Sequence, residues 1–141
     1  MRYSASSTAS AGFACLVLVV ILAGGCSKGP PVGEVTGTIT VDGVPAKIGS
    51  ISFFPIDGKA PTAGAAINDG KYAAKVPVGK VKVEIRVSKI VGQKKLYDTP
   101  NSPVQPIMQE VLPPIYHDRT TLQLDVQPGT NEKDYALKTK P

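Results

Sequence analysis

Cys26 is the residue whose type and position most clearly permit chemistry. Its thiol follows an apolar run of ten residues, Phe13–Leu22, and a Gly-Gly pair. A basic start, here Arg2, an apolar stretch of about 7–15 residues and small residues before a cut are typical of a secretory signal peptide. A membrane-spanning helix would need about 20 apolar residues. The sequence therefore predicts a signal helix over residues 1–25 that is removed before Cys26. A retained membrane helix and a soluble secreted form are the alternatives.

The stretch Leu22-Ala-Gly-Gly-Cys26 resembles the lipobox of bacterial lipoproteins, in which a Leu-rich run and small residues precede an invariant cysteine. It departs from that pattern at Ala23, where leucine is commonest. The resemblance implies a diacylglycerol on the Cys26 thiol and a further acyl chain, such as palmitate, on the new amino terminus. Two or more chains anchor a protein persistently. We therefore expect a protein of the cell envelope, anchored on the non-cytoplasmic side of the outer or cytoplasmic membrane.

A short linker separates this anchor from the folded part. Residues 26–32 contain the lipidated residue and a polar, Pro- and Gly-rich segment that is typical of a linker. Six extended residues span at most about 20 Å. The sequence therefore predicts a folded domain that is held close to the membrane.

The other reactive side chains form no catalytic or metal-binding pattern. His117 is the only histidine, and no nucleophile stands in a recognisable motif near it. A zinc site needs about three or four ligands, and the aspartates that precede glycines are typical of turns. The 16 Lys and Arg residues are interleaved with 11 Asp and Glu, whereas nucleic-acid binding requires clustering. We therefore predict a protein that is not an enzyme, uses no metal or cofactor and binds no nucleic acid.

From residue 33 onward the apolar residues recur with the period of a β-strand. Val81, Val83, Ile85 and Val87 alternate with polar residues, mostly charged, which indicates a half-buried strand. Asp-Gly pairs between such segments indicate tight hairpins. The pattern predicts seven strands over residues 33–138, in an antiparallel β-sandwich with no helix after the leader.

Three turns in this region are similar to those of a known superfamily. They are Asp42-Gly43 after the first strand, Asn68-Asp-Gly-Lys-Tyr72, and Pro77-Val-Gly79. The chain here resembles the carboxypeptidase regulatory-like, transthyretin-like β-sandwich domains. Residues 112–137 are similar to the carboxyl-terminal half of small bacterial lipoproteins of this kind. The resemblance implies a Greek-key β-sandwich that serves as a non-catalytic accessory or interaction module.

Residues 90–114 interrupt the alternation with five prolines. The sequence predicts a proline-rich irregular loop, and long loops of this kind are usually functional or disordered. We therefore expect the contact surface for an envelope protein or polysaccharide at or beside this loop. A small envelope hydrolase or a transport-accessory protein, with a site near residues 90–119, is the alternative. The candidate binding residues are Lys94, Lys95, Tyr97, Tyr116, His117 and Arg119.

Overall fold

The computed structural model describes residues 29–140, and this part of the chain is all-β. A single 3-10 turn, Pro114–Tyr116, is the only helical element there. The predicted signal helix and the predicted lipidation site Cys26 lie outside the described residues. The ten strands are β1 (Val32–Val41), β2 (Val44–Pro45), β3 (Ile48–Pro55), β4 (Ala63–Asn68), β5 (Lys71–Pro77), β6 (Gly79–Lys95), β7 (Val104–Glu110), β8 (Gln123–Val126), β9 (Gly129–Glu132) and β10 (Tyr135–Leu137).

The strands form one curled, largely antiparallel sheet in the order β10-β1-β5-β4-β3-β6-β7. Two long strands organise it. β1 pairs with β5 and β2 antiparallel, and with β9 and β10 parallel. β6 pairs with β3 along one edge, and with β8 and then β7 along the other.

The core lies inside the curl of the sheet. β4 and β5 pair at one position only, Asn68 with Lys71, so the strands on either side of this hairpin can fold over one another. The ring centroid of Phe53 on β3 lies 6.3 Å from that of Tyr72 on β5, and Tyr72 lies 6.4 Å from Tyr135 on β10. The arrangement is compatible with a β-sandwich.

The predicted alternation along β6 is confirmed. Val81, Val83, Ile85 and Val87 are all buried, and the residues between them are not. Full burial of such a side chain contributes about 1.5–3 kcal/mol to stability. The predicted core roles of Tyr72 and Tyr135 are also confirmed, since both are buried. Burial raises the pKa of Tyr135 to about 12.

Both predicted Asp-Gly hairpins are confirmed. Asp42 and Gly43 have φ angles of 51° and 82°, and Asp69 and Gly70 have φ angles of 47° and 78°. Positive φ at both central residues defines the type I′ turn, whose twist matches that of the flanking strands. Glycine adopts this backbone at little cost and aspartate tolerates it.

The last two strands, β9 and β10, run parallel to β1 and are held there by side-chain hydrogen bonds. Between β9 and β10 the chain crosses so close to Gly37 that a Cβ there would lie 2.0 Å from the Lys133 carbonyl oxygen. Asp134 Oδ1 then accepts hydrogen bonds from the backbone N–H of Thr38, at 2.6 Å, and from its hydroxyl, at 2.8 Å. These bonds, the backbone one first, lower the pKa of Asp134 below its usual value.

A second set of hydrogen bonds holds the chain beyond β10. The Thr139 hydroxyl donates to Asp42 Oδ2 at 2.7 Å, and the Thr139 N–H donates to Oδ1 at 3.2 Å. These bonds, the hydroxyl one first, lower the pKa of Asp42. The turn between β1 and β2 is therefore tied to the end of the chain.

The prediction of an irregular loop at residues 90–114 was wrong for most of these residues. β6 continues to Lys95, β7 occupies Val104–Glu110, and the two strands pair at seven positions with a bulge between Ile90 and Gly92. Only residues 96–103 form the turn between them. The prolines are compatible with this hairpin because Pro106 lies on an edge strand, where no partner needs its missing N–H. Residues 29–140 form ten strands where the sequence predicted seven, because that prediction lacked β2, β7 and β9.

Candidate functional site

A two-stranded arm, residues 89–109, extends beyond the rest of the sheet. β3 begins at Ile48 opposite Ser88, so further along β6 no strand lies on that edge among the described residues. β7 is the last strand of the sheet on the other side, and all of its residues are exposed. The arm is therefore a ribbon with solvent on both faces.

The register assigns the side chains of the arm to two faces, because paired residues in an antiparallel ladder point to the same side. A Cβ at Gly92 would lie 3.7 Å from Ile107 Cδ1, which fits their assignment to one face. The inner face continues the core side of β6 and is mainly polar, whereas the outer face is mainly apolar. The inner pairs are Lys89–Gln109, Gly92–Ile107 and Lys94–Gln105, and the outer pairs are Ile90–Met108, Gln93–Pro106 and Lys95–Val104.

Exposed apolar side chains concentrate on the arm. Of the twelve large apolar residues that are exposed in residues 29–140, seven belong to it, with Tyr97 at the turn the most exposed at 66%. Ile90, Val104 and Met108 share the outer face, whereas Ile107 lies on the inner face. The seven are Ile90, Val91, Leu96, Tyr97, Val104, Ile107 and Met108.

One carboxylate oxygen fixes the base of the arm. Glu110 Oε1 accepts hydrogen bonds from three backbone N–H groups, those of Val87 at 3.0 Å, Val111 at 3.0 Å and Leu112 at 3.1 Å. The Val111 N–H also donates to the Val87 carbonyl oxygen at 2.9 Å. Glu110 therefore fills the place on the β6 edge where β7 ends and the chain turns away.

A cleft of 490 Å³ opens beneath the same base. Lys89 and Gln109 belong to the inner face of the arm, so the cleft continues into that face. Lys89 has no ion-pair partner within residues 29–140. The cleft is lined by Val41, Lys89, Gln109, Glu110, Val111 and Thr139.

The six predicted binding residues fall into two separate groups. Lys94, Lys95 and Tyr97 lie on the arm and are exposed. The other three lie in the segment after β7, where Asp118 contacts Arg86 on β6. Because Lys94 is eight residues further along this strand than Arg86, the two groups are about 26 Å apart. They do not form one surface.

His117 is buried, with 5% of its surface exposed, so its prediction as a surface contact residue was wrong. Its Nε2 lies 3.2 Å from the Leu112 carbonyl oxygen. Its Nδ1 lies 3.1 Å from Asp118 Oδ2 without the alignment of a hydrogen bond. Hydrogen bonding from Arg86, followed by its nearby charge, lowers the pKa of Asp118. These contacts give His117 a structural role. None of them is with a hydroxyl or thiol that the imidazole could activate as a nucleophile.

Tyr116 and Arg119 differ in their surroundings. Tyr116 packs against the core, and its hydroxyl oxygen accepts a hydrogen bond from the Lys138 N–H at 3.2 Å. Arg119 is exposed, and its N–H donates to the Pro114 carbonyl oxygen at 2.8 Å. Only Arg119 of this group presents its side chain to solvent.

The sequence prediction missed the outer apolar face and Glu110. A usable signal was present for the face, since apolar residues stand on both sides of the turn-forming segment Asp98-Thr-Pro-Asn-Ser-Pro103, as in a hairpin. No such signal marks Glu110, whose role depends on backbone groups that the fold brings together.

No three His, Cys, Asp or Glu residues in the described part of the chain are grouped to hold a metal ion. No helix of residues 29–140 is long and apolar enough to cross a membrane. Comparisons with protein-family models, with curated proteins and with solved structures found no match for this chain.

Proposed function

We propose that this chain is a lipid-anchored module of the bacterial cell envelope that binds another envelope protein or polymer through its arm, without catalysis. The observation that carries the proposal is the arm itself. A ribbon with two solvent-exposed faces costs conformational entropy and buries little apolar surface in return. Such an element with seven exposed apolar side chains is typical of a docking surface.

The two ends of β6 support this arrangement. At one end Val32 pairs with Pro77, and the Val78 N–H donates to the Pro31 carbonyl oxygen at 2.8 Å. The proposed anchor at Cys26 would attach at this end. The arm leaves the sheet about 33 Å further along β6, and its tip lies about 50 Å along the strand. An anchored domain would therefore direct its arm away from its own membrane.

We also propose that the curled sheet is a Greek-key β-sandwich of the transthyretin-like, carboxypeptidase regulatory-like kind. The single bridge between β4 and β5 supports a division into two layers. The contacts of Phe53 with Tyr72 and of Tyr72 with Tyr135 would then join the layers. In such a module the sandwich is a rigid base for the arm.

The anchor is tested by the mass and the partitioning of the protein. We expect the wild-type chain to lose residues 1–25, to gain the mass of a diacylglycerol and acyl chains, and to enter the detergent phase. Cys26→Ala should remain unmodified and unprocessed. A wild-type protein at full length without lipid, or a Cys26→Ala variant with the processed lipidated mass, would contradict the anchor.

The arm is tested by placing a photo-crosslinking amino acid at Tyr97 in cells. The control position is Ile56, another exposed large hydrophobic residue, which is 53% exposed in the β3–β4 connection. We expect discrete adducts from position 97 and none from position 56. Adducts that are absent at 97, or equal at both positions, would exclude the arm as the binding surface.

A further inference from the structure

We infer that the free edge of β6 in the arm accepts an extended acidic strand of a partner protein by β-strand addition. The inference rests on the proposed binding role of the arm and specifies the partner's chemistry and its place. In strand addition, main-chain hydrogen bonds supply affinity, and side chains that flank the added strand supply specificity. Three observations support it: the blocked edge of β7, the open edge of β6 and the distribution of charge.

The free edge of β7 is blocked. The Leu96 N–H donates to the Pro103 carbonyl oxygen, and the Val111 N–H donates to the Val87 carbonyl oxygen. Since backbone groups alternate in direction along a strand, the groups of Val104, Pro106 and Met108 point away from β6. Pro106 stands at the middle of these three and has no N–H to offer. Proline at such a position is a recognised protection against edge pairing.

The free edge of β6 has no proline, and its one irregularity is the bulge between Ile90 and Gly92, so its regular stretch begins beyond the bulge. By the same alternation the backbone N–H and C=O groups of Ile90, Gln93 and Lys95 point away from β7. No strand pairs with them within residues 29–140, because β3 begins opposite Ser88. No proline stands between Gly79 and Lys95. An added strand would lie in line with β3 and would extend the sheet past its end.

The charge along this edge selects an acidic partner. Arg86 is already paired with Asp118, but beyond it β6 carries Lys89, Lys94 and Lys95 and no acidic residue, and Asp98 is the only acid in the turn at residues 96–103. The nearest acid on β7, Glu110, already accepts three backbone N–H groups at the base. Lys94 and Lys95 lie on opposite faces of the ribbon, so acidic side chains on either face of an added strand would meet a lysine. Opposite charges across paired strands stabilise the pairing.

The probe is a synthetic peptide of about ten residues, long enough to face the arm at 3.3 Å per residue, that alternates glutamate with valine or threonine. The control peptide has lysine in place of each glutamate. Binding to the full chain in detergent is followed by NMR of its backbone amides. We expect the acidic peptide alone to bind and to protect the amides of Gln93 and Lys95 from exchange, while those of Val104 and Met108 are unaffected.

Two proline variants separate the edges. Gln93→Pro removes an outward N–H from the β6 edge, and Met108→Pro removes one from the β7 edge. Pro106 shows that the ribbon accommodates a proline at an outward position. Loss of a main-chain bond together with the steric block should weaken binding by at least about tenfold in Gln93→Pro, against less than about twofold in Met108→Pro. Lys94→Glu/Lys95→Glu, which keeps every backbone group, should abolish binding of the acidic peptide.

Equal binding of both peptides, no binding of either, or protection on the β7 edge would overturn the inference. A wild-type dimer that forms without peptide and dissociates in Gln93→Pro would overturn it too, since the occupant would be a second copy. Crosslinks from position 97 in cells distinguish this failure from failure of the proposed function. If they persist in Gln93→Pro, the arm binds its partner by another surface and only the strand-addition inference fails.

Discussion

Removal of the Glu110 carboxylate should loosen the arm at its base while the sheet beyond it stays folded. In Glu110→Ala the N–H groups of Val87 and Leu112 lose the only partner that the structure gives them, whereas the Val111 N–H keeps the Val87 carbonyl oxygen. A hydrogen bond contributes about 0.5–1.5 kcal/mol, and up to about 3 kcal/mol when one partner is charged. Because water can reach this partly buried place, we use about 1–1.5 kcal/mol per bond. The two bonds together predict a loss of about 2–3 kcal/mol.

Glu110→Gln is the matched control, since its amide oxygen can accept the same bonds without the charge. We expect it to lose about 1 kcal/mol, because bonds to a neutral acceptor are about half as strong. Urea denaturation of the full chain in detergent, followed by circular dichroism, measures both variants. Amide exchange should also accelerate along the arm in Glu110→Ala, and much less in β1 and β5.

Two results would contradict this role of Glu110. A Glu110→Ala protein that unfolds at the wild-type urea concentration would show that water replaces the carboxylate without cost. Faster exchange spread evenly over the sheet would show that Glu110 stabilises the whole domain and has no particular role at the base.

Three further predictions concern the sheet itself. Phe53→Ala empties a fully buried position and should cost about 3–5 kcal/mol in urea denaturation; a loss below about 1 kcal/mol would place Phe53 outside the core. Gly37→Ala should cost at least about 2 kcal/mol, because its Cβ would overlap the Lys133 carbonyl oxygen, and wild-type stability would contradict that crossing. Asp42, Asp118 and Asp134 have lowered pKa values in the folded state, so their stabilisation is present above the usual aspartate pKa and declines as the pH falls through the folded values. Stability should therefore decrease below about pH 4, and less so in the variant with all three changed to Asn; an identical acid profile for both proteins would contradict this origin.

The sequence predicted the strands whose two faces differ in environment. Val81–Val87 alternate with polar residues because one face of β6 is core and the other is solvent. The hairpins at Asp42-Gly43 and Asp69-Gly70 were predictable because few residue pairs accept positive φ twice in succession. In both cases the cause of the structure is local in the chain.

The arm was missed because neither of its faces is buried. With solvent on both sides, apolar and polar residues need not alternate, and β7 carries Val104, Ile107 and Met108 without a period of two. Pro106 then gave the segment the composition of a loop, although its ring stands where a free edge tolerates it. His117 was placed at the surface for a related reason. Its polar contacts are with Leu112 and Asp118, which lie in irregular chain that has no periodicity.

The structure of the arm bears on how tightly a partner could hold it. A two-stranded ribbon alone is marginally stable in water. This one is attached to the sheet at its base, where β6 continues into the sheet and Glu110 accepts the Val87 N–H. Stability should therefore decrease from Ser88 toward the turn at residues 96–103. A third strand on the β6 edge would stabilise the arm, since three paired strands with an apolar face can be stable on their own. Part of the free energy of binding would then order the tip, so variants that rigidify the turn should tighten binding without touching the partner.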